Sequence, residues 1–292
     1  MNSIVYIRLD VHKESYTICS YRVEDDEAKY VQKIKADYKM VFRYLDQMRR
    51  HYGEDVDFIC GYEAGPVGYK LYHQLNDRGI ECVIMAPSTL GVTNNNRVKT
   101  DKNDAKNLAR CLAFRLYSAV HVPTTEDEEV KEYIRLRDDK KQALKKVRQQ
   151  IQAFVLRHGY KYGTGRAWTI THVKWLKTLE LEGLFQEVLS EYLVTHDYLV
   201  QKIERLDDKI EELAQGERYA ENVKKLTCLI GVKTYTALSV IVETGDFKRF
   251  AKPDQYASFL GLVPSEDSSG EQQKQGGIMV LCQEIGQPKC SF

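Results

Sequence analysis

Arg97-Val98-Lys99-Thr100-Asp101-Lys102-Asn103-Asp104-Ala105-Lys106-Asn107-Leu108-Ala109-Arg110 sets two carboxylates three residues apart in what reads as the first turn of a helix, amid five basic side chains. Residues at that spacing share one helical face. Apolar residues at Ala105, Leu108, Ala109, Leu112 and Leu116 continue the same side, so Asp101 and Asp104 are expected to point toward the body of a domain. Two carboxylates held that close repel each other, and a hard divalent cation with oxygen ligands relieves the repulsion. The plainer alternative stands beside this one: Thr100 or Asp101 caps the helix and Asp104 complements its dipole. That accounts for one acid but leaves the second acid and the basic surround without a role.

Outward from this stretch, the amino-terminal side reads as a layered α/β unit. Residues 4–10 form an apolar strand ending in Asp10, 15–23 and 30–34 two further strands, and 38–51 a helix with Val41, Tyr44, Leu45 and Met48 on one side. Val56 to Cys60 is a buried strand running into Gly61-Tyr62-Glu63, Gly65-Pro66-Val67-Gly68 opens a helix through about Arg78, and 81–85 is a strand. With the helix at Asp101 the order is β-β-β-α-β-α-β-α, that of a ribonuclease H-like sheet. Ligands of such sheets gather beyond the carboxyl ends of strands. Asp10, Glu63, Asp101 and Asp104 are therefore expected to converge there, where bound Mg2+ (or Mn2+) would activate a nucleophile and stabilise a phosphodiester leaving group.

The next stretch changes period. Residues 125–157 read as one long charged helix, 168–178 and 179–189 as short helical pieces, and 196–217 as a second long helix able to pair antiparallel with the first, a coiled-coil insertion. Val223 to Thr234 leads through a glycine turn into an apolar helix at 235–243, a helix-hairpin-helix-like element in which Gly231, Lys233 and Thr234 would present amides to a phosphate. A short helix at 254–260 precedes an ordered loop through Gly270. The divisions are expected at 1–120, 121–220 and 221–292.

Composition bounds the class. A 292-residue chain with 43% hydrophobic and 29% charged residues is that of a soluble globular protein, and a net charge of +1 confines any nucleic-acid surface to local patches such as Lys99 and Lys102. The seven cysteines form no CxxC pair or zinc spacing, and with no signal peptide or membrane-length apolar run a cytoplasmic, nucleoid-associated protein is expected.

Taken together, Leu9-Asp10-Val11-His12-Lys13, Tyr62-Glu63-Ala64-Gly65, Lys99 to Ala105, Gly231-Val232-Lys233-Thr234, Glu243-Thr244-Gly245-Asp246 and Leu260 to Pro264 with Ser268-Ser269-Gly270 resemble, in family order, the DEDD-type transposases of the insertion-sequence family one-ten. That family is related to a site-specific DNA invertase and includes bridge-RNA-guided recombinases. The resemblance implies a resolvase-like acidic domain using Asp10, Glu63, Asp101 and Asp104, a coiled-coil insertion, and a mainly helical carboxyl-terminal transposase domain. It also implies a serine nucleophile, placed at Ser269 with Ser268 as the fallback. DNA ends and target, a structured guide RNA, and a homo-oligomeric dimer or tetramer are the implied partners. After Ile278 the family's basic segment and further helix are expected, whereas Met279 to Phe292 depart from that pattern, as a truncated or frameshifted copy would. The rival readings are a junction-type endonuclease with no covalent intermediate, and a non-catalytic nucleic-acid-binding remnant.

Overall fold

The computed structural model describes residues 3–86, 101–163, 165–262, 264–269 and 272–278, with side chains throughout except at 101–105 and beyond 262. Packing divides the chain into two compact units, Met1–Val122 with Lys248–Phe292, and Pro123–Phe247. The sequence places its divisions after residues 120 and 220; here the expected third division, 221–292, is split, with 221–247 grouped with the helical unit and 248–292 with the first.

In the first unit, β1 (Ser3–Val11), β2 (Ser15–Arg22), β3 (Glu27–Lys35), β4 (Val56–Glu63) and β5 (Glu81–Met85) form one sheet in the order β3-β2-β1-β4-β5. The β3-β2-β1 half is antiparallel, and β1-β4-β5 is parallel. This mixed α/β sheet is consistent with the ribonuclease H-like reading. Alternate residues face opposite sides. Val5, Ile7 and Leu9 of β1 and Phe58, Cys60 and Tyr62 of β4 are buried with Val41, Tyr44, Leu45 and Met48 of helix α1 (Tyr38–Tyr52) and Leu71 and Leu75 of helix α2 (Lys70–Asn76). The opposite face is covered by helix α3 (Asp101–Ala113), whose Leu112 packs with Met85, Tyr6 and Ile59.

Local chemistry sets the ends of these elements. The Asp37 carboxylate accepts from the Lys39 amide at 2.9 Å, which caps α1, and Arg49, Arg50 and His51 complement the dipole of its last turn. Helix α2 begins at Lys70, later than the sequence suggests, because Gly68 takes φ +69° and breaks the turn that follows β4. Leu116, expected on the buried side of α3, is instead exposed, since that helix ends at Ala113 and Arg115 turns the chain with φ +53°.

The second unit is built on α4 (Thr125–Arg157) and α6 (Leu184–Ala214), joined through α5 (Ile170–Lys177). Arg137 of α4 bonds Asp207 of α6 at 2.8 Å, while Ile151 further along α4 shares a core with Leu189 earlier in α6, so the two helices are antiparallel. The two pieces expected at 179–189 and 196–217 are largely one helix. Leu189 is buried in the core formed with Ile151, Phe154 and Leu176, with Tyr192 and Leu193 packed against it, and this packing overrides the weak helix propensity of Val194-Thr195. Near the other end Val130, Ile134 and Ile210 share a core with Val223 of α7 (Ala220–Thr227) and Ala237, Leu238 and Ile241 of α8 (Thr234–Thr244). Beyond α9 (Pro253–Phe259), the stretch expected as an ordered loop is a hairpin of β6 (Pro264–Ser269) and β7 (Gln272–Ile278), antiparallel with Ser269 opposite Gln272.

A Cβ at Gly61 would lie 2.7 Å from Cδ1 of Leu112, which is 1% exposed and has little room to move. Gly61→Val is expected to destabilise the protein by about 1–3 kcal/mol by overpacking, with partial rescue by Leu112→Ala in a double-mutant cycle read by urea unfolding. Additive effects would show that α3 does not rest on Gly61.

The Asp127 carboxyl is buried and accepts from Arg218, from Tyr219 at 2.7 Å and from Thr124 at 2.9 Å. Burial pushes its titration upward, but these hydrogen bonds outweigh burial and hold it below the ordinary carboxylate range. A depressed folded value means that its stabilisation is full above the unfolded carboxylate's titration, near pH ~4, and is lost as pH falls through the folded value. Asp127→Asn is expected to cost about 2 kcal/mol at neutral pH, a difference that shrinks in acid. Equal losses at both ends of the pH range would exclude the ionised network.

Candidate functional site

The acids at the ends of β1 and β4 are brought together by strand register. Arg8 pairs with Gly61 and Leu9 with Tyr62, so the next step along the two strands places Asp10 beside Glu63, about 4.8 Å apart in the backbone as neighbouring strands are. Paired residues share a face, and both follow the alternation that leaves Leu9 and Tyr62 on the α1 side. Asp10 and Glu63 therefore project on the side covered by α3. They line one open cleft of about 600 Å3, with Arg8, His12 and Lys13 also in its wall. His12 Nδ1 lies 3.4 Å from Asp10 Oδ1.

Helix α3 crosses this face. Leu112 rests on Gly61, and the Cys111 thiol is pushed upward, first by burial and further by the charge of Glu63. Lys106 and Arg110 reach Asp26 at 3.0 and 3.4 Å. Asp26 lies in the β2–β3 turn, at the end of the sheet opposite Asp10, because β2 runs antiparallel to β1. The structure thus unites Asp10 and Glu63 and places the Asp101–Ala113 helix on their side of the sheet. The side chains of Asp101, Lys102 and Asp104 lie outside the described residues, as do Lys99 and the tail after Ile278. Ser268 and Ser269 are in β6, their side chains likewise outside.

Two adjacent carboxylates open to solvent are oxygen donors suited to a hard divalent cation. Among the described residues no group of three or more His, Cys, Asp or Glu side chains completes a cation site, so Asp10 and Glu63 would supply part of the ligand set. In the second unit, Gly231 takes φ +88° in the turn before α8, with Leu229 58% and Ile230 106% exposed beside it. Lys233 precedes α8 without a side-chain cap, which leaves the amides around Thr234 open to an acceptor. Arg8 is the cleft residue that sequence reading passes over; its even-numbered place in β1, two before Asp10, is the signal for it.

A five-stranded mixed sheet with paired acids at its parallel strand ends defines an acidic α/β domain, consistent with a ribonuclease H-like one. Two family comparisons agree with it. Residues 7–159 match the DEDD transposase family of IS110 type, and residues 223–280 match the family described as "Transposase IS116/IS110/IS902 family". The chain is 34% identical over 251 residues to the transposase for insertion sequence element IS1533 of Leptospira borgpetersenii, an alignment covering 85% of this chain and 72% of that protein. It is 33% identical over 274 residues to the protein y4qE of Sinorhizobium fredii, covering 94% and 66% of the two. The transposase for insertion sequence element IS1111A of Coxiella burnetii is 25% identical over 188 residues and is about half covered, at 52%. This chain belongs to the IS110 family of transposases. Among the described residues no helix is long and apolar enough to cross a membrane.

Like charges directly across a strand pair repel. Glu63→Gln is therefore expected to raise the metal-free melting temperature slightly; Mn2+ is expected to raise that of the unsubstituted protein further in thermal denaturation, and Glu63→Gln to abolish this rise. An Mn2+ response that survives both Glu63→Gln and Asp10→Asn would place the cation elsewhere.

Proposed function

We propose that this chain is a DNA transposase that cuts and rejoins strands of a mobile element, using the cleft at Asp10 and Glu63 together with a serine nucleophile. The observation that carries this reading is the register that sets those two acids side by side at parallel strand ends, in a chain of a transposase family. Asp101 and Asp104 complete the ligand set from α3, and Mg2+ or Mn2+ bound there would supply charge neutralisation at the phosphodiester oxygens. Ser269, or Ser268, is the nucleophile. Its Oγ forms a bond to phosphorus, the phosphodiester P–O bond breaks, and the leaving oxygen departs with the electron pair and takes up a proton. The phosphoserine conserves the bond energy, so a strand hydroxyl can reverse the step without an outside energy source.

DNA ends and target are the substrates, and a structured guide RNA and further copies of the chain are its partners in this reading. A helix-hairpin-helix-like grip at Gly231, Lys233 and Thr234, with Lys99 and Lys102, would hold backbone phosphates without reading sequence. A protein occupied with DNA in this way would be associated with the nucleoid.

The test is strand exchange on the element's own ends in Mg2+. Asp10→Asn and Ser269→Ala are each expected to reduce it by at least about a hundredfold, and denaturing gels of the unsubstituted protein to show a protein–DNA adduct that Ser269→Ala lacks. Cut ends with no adduct would favour hydrolysis through water. An adduct that persists in Ser269→Ala and vanishes in Ser268→Ala would move the nucleophile by one residue.

A further inference from the structure

Arg8 occupies an unusual place for a charged residue. It stands in the middle of β1, between Cys19 of β2 and Gly61 of β4 in register, and only 9% of it is exposed. Because Gly61 offers no side chain, Leu112 of α3 packs directly onto the strand beside Arg8. The Arg8 Nε is fully buried and has no hydrogen-bond partner, and none of the described carboxylates pairs with the group. Yet the same side chain lines the cleft that holds Asp10 and Glu63.

A largely buried cation with no counter-ion among the described residues is costly, and an anionic ligand would offset that cost. The anion is not Asp10 or Glu63, which share the cleft without an ion pair to Arg8. A cation held by those two acids would itself repel the guanidinium, so both charges are satisfied together only by a ligand that is negative and has oxygens to offer on more than one side. A phosphodiester is such a ligand. The planar fork of arginine matches its two non-bridging oxygens, and a guanidinium is the more weakly hydrated of the two basic side-chain heads, hence the better suited to burial.

We propose that Arg8 is a phosphate-binding residue of the acidic cleft, gripping the non-bridging oxygens of one phosphodiester in a DNA strand laid across Asp10 and Glu63. This rests on the reading of the cleft as a DNA-processing site and adds to it the group that positions the strand. Arg8 acts by contact with substrate and moves no proton.

The experiment is equilibrium binding of a short fluorescein-labelled single-stranded DNA to the full chain, by anisotropy in Ca2+, over a range of potassium chloride. Arg8→Met is expected to weaken binding about tenfold at fixed salt and to lower the slope of log affinity against log salt by about 0.7, one phosphate contact on a single strand. Arg8→Lys is expected to keep the slope while losing most of that affinity, because an ammonium retains the charge and gives up the fork. Inorganic phosphate, at matched ionic strength, is expected to displace the DNA from the unsubstituted protein but not from Arg8→Met. In urea, Arg8→Met is expected to unfold at the same or a higher midpoint, since it removes, at similar volume, a charged group with no counter-ion among the described residues.

Binding and slope unchanged in Arg8→Met would overturn the proposal, as would a lower unfolding midpoint with normal binding, which would mark Arg8 as structural. Should Arg8→Met fail to fold, Arg8→Lys decides: weakened affinity at unchanged slope supports the contact, and full affinity rejects it. Phosphate binding that depends on Arg8 while DNA binding does not would mean that the group reads free phosphate, against the proposal. Failure of the catalytic reading looks different, since it leaves the Arg8-dependent binding in place and removes strand exchange from the unsubstituted protein.

Discussion

The in-register parallel pairing of β1 with β4 is the constraint on which the acidic cleft depends. In a pleated sheet a slip of one residue would turn every side chain to the other face, and Asp10 would no longer stand beside Glu63. What prevents the slip is not the acids, which repel each other, but apolar packing on both sides. Val5, Ile7 and Leu9 with Phe58, Cys60 and Tyr62 are buried under α1 and α2, and Gly61 admits Leu112 of α3 from the opposite side. The hydrophobic pattern thus holds two like charges together, which is the arrangement a cation site requires.

Much of this unit is legible in the amino-acid sequence because each strand is a short apolar run closed by an acid or a turn. Asp10 and Glu63 stand out for that reason, and their proximity then follows from the β-β-β-α-β order. Arg8 is not legible in the same way. A lone cation in an alternating strand reads as a solvent-facing residue, whereas in the fold only 9% of it is exposed. The start of α2 is misread because Gly65-Pro66 resembles a helix opening, while the positive φ of Gly68 decides the matter. The unbroken span of α6 is hidden by Val194-Thr195, weak helix formers carried through by neighbours that are packed. The β6–β7 hairpin is hidden for another reason: its residues are polar, so no alternation of apolar side chains announces the strands.

The helical unit is held by a different balance. Its long helices have few buried apolar positions for their length, and polar contacts are concentrated where the chain enters and leaves. Arg137 joins Asp207 and stacks 4.2 Å from the Tyr235 ring centre, whose hydroxyl donates to Asp138, so one arginine links α4, α6 and α8. Such charge pairs are specific in geometry, and they fix which turn of α6 faces which turn of α4 more firmly than leucine contacts alone would.

At the base of that unit, Arg218 beyond α6 reaches back to Thr124 and Asp127, and Lys131 joins Glu243 at 3.3 Å, so the first and last turns of the segment are neighbours. A module whose two ends meet is self-contained. Matched lengths can be cut from both helices, between the Arg137–Asp207 pair and the core around Ile151, without removing any of the contacts at the base. The length of this helical pair is therefore a free variable of the architecture, open to adjustment by duplication or loss of paired turns.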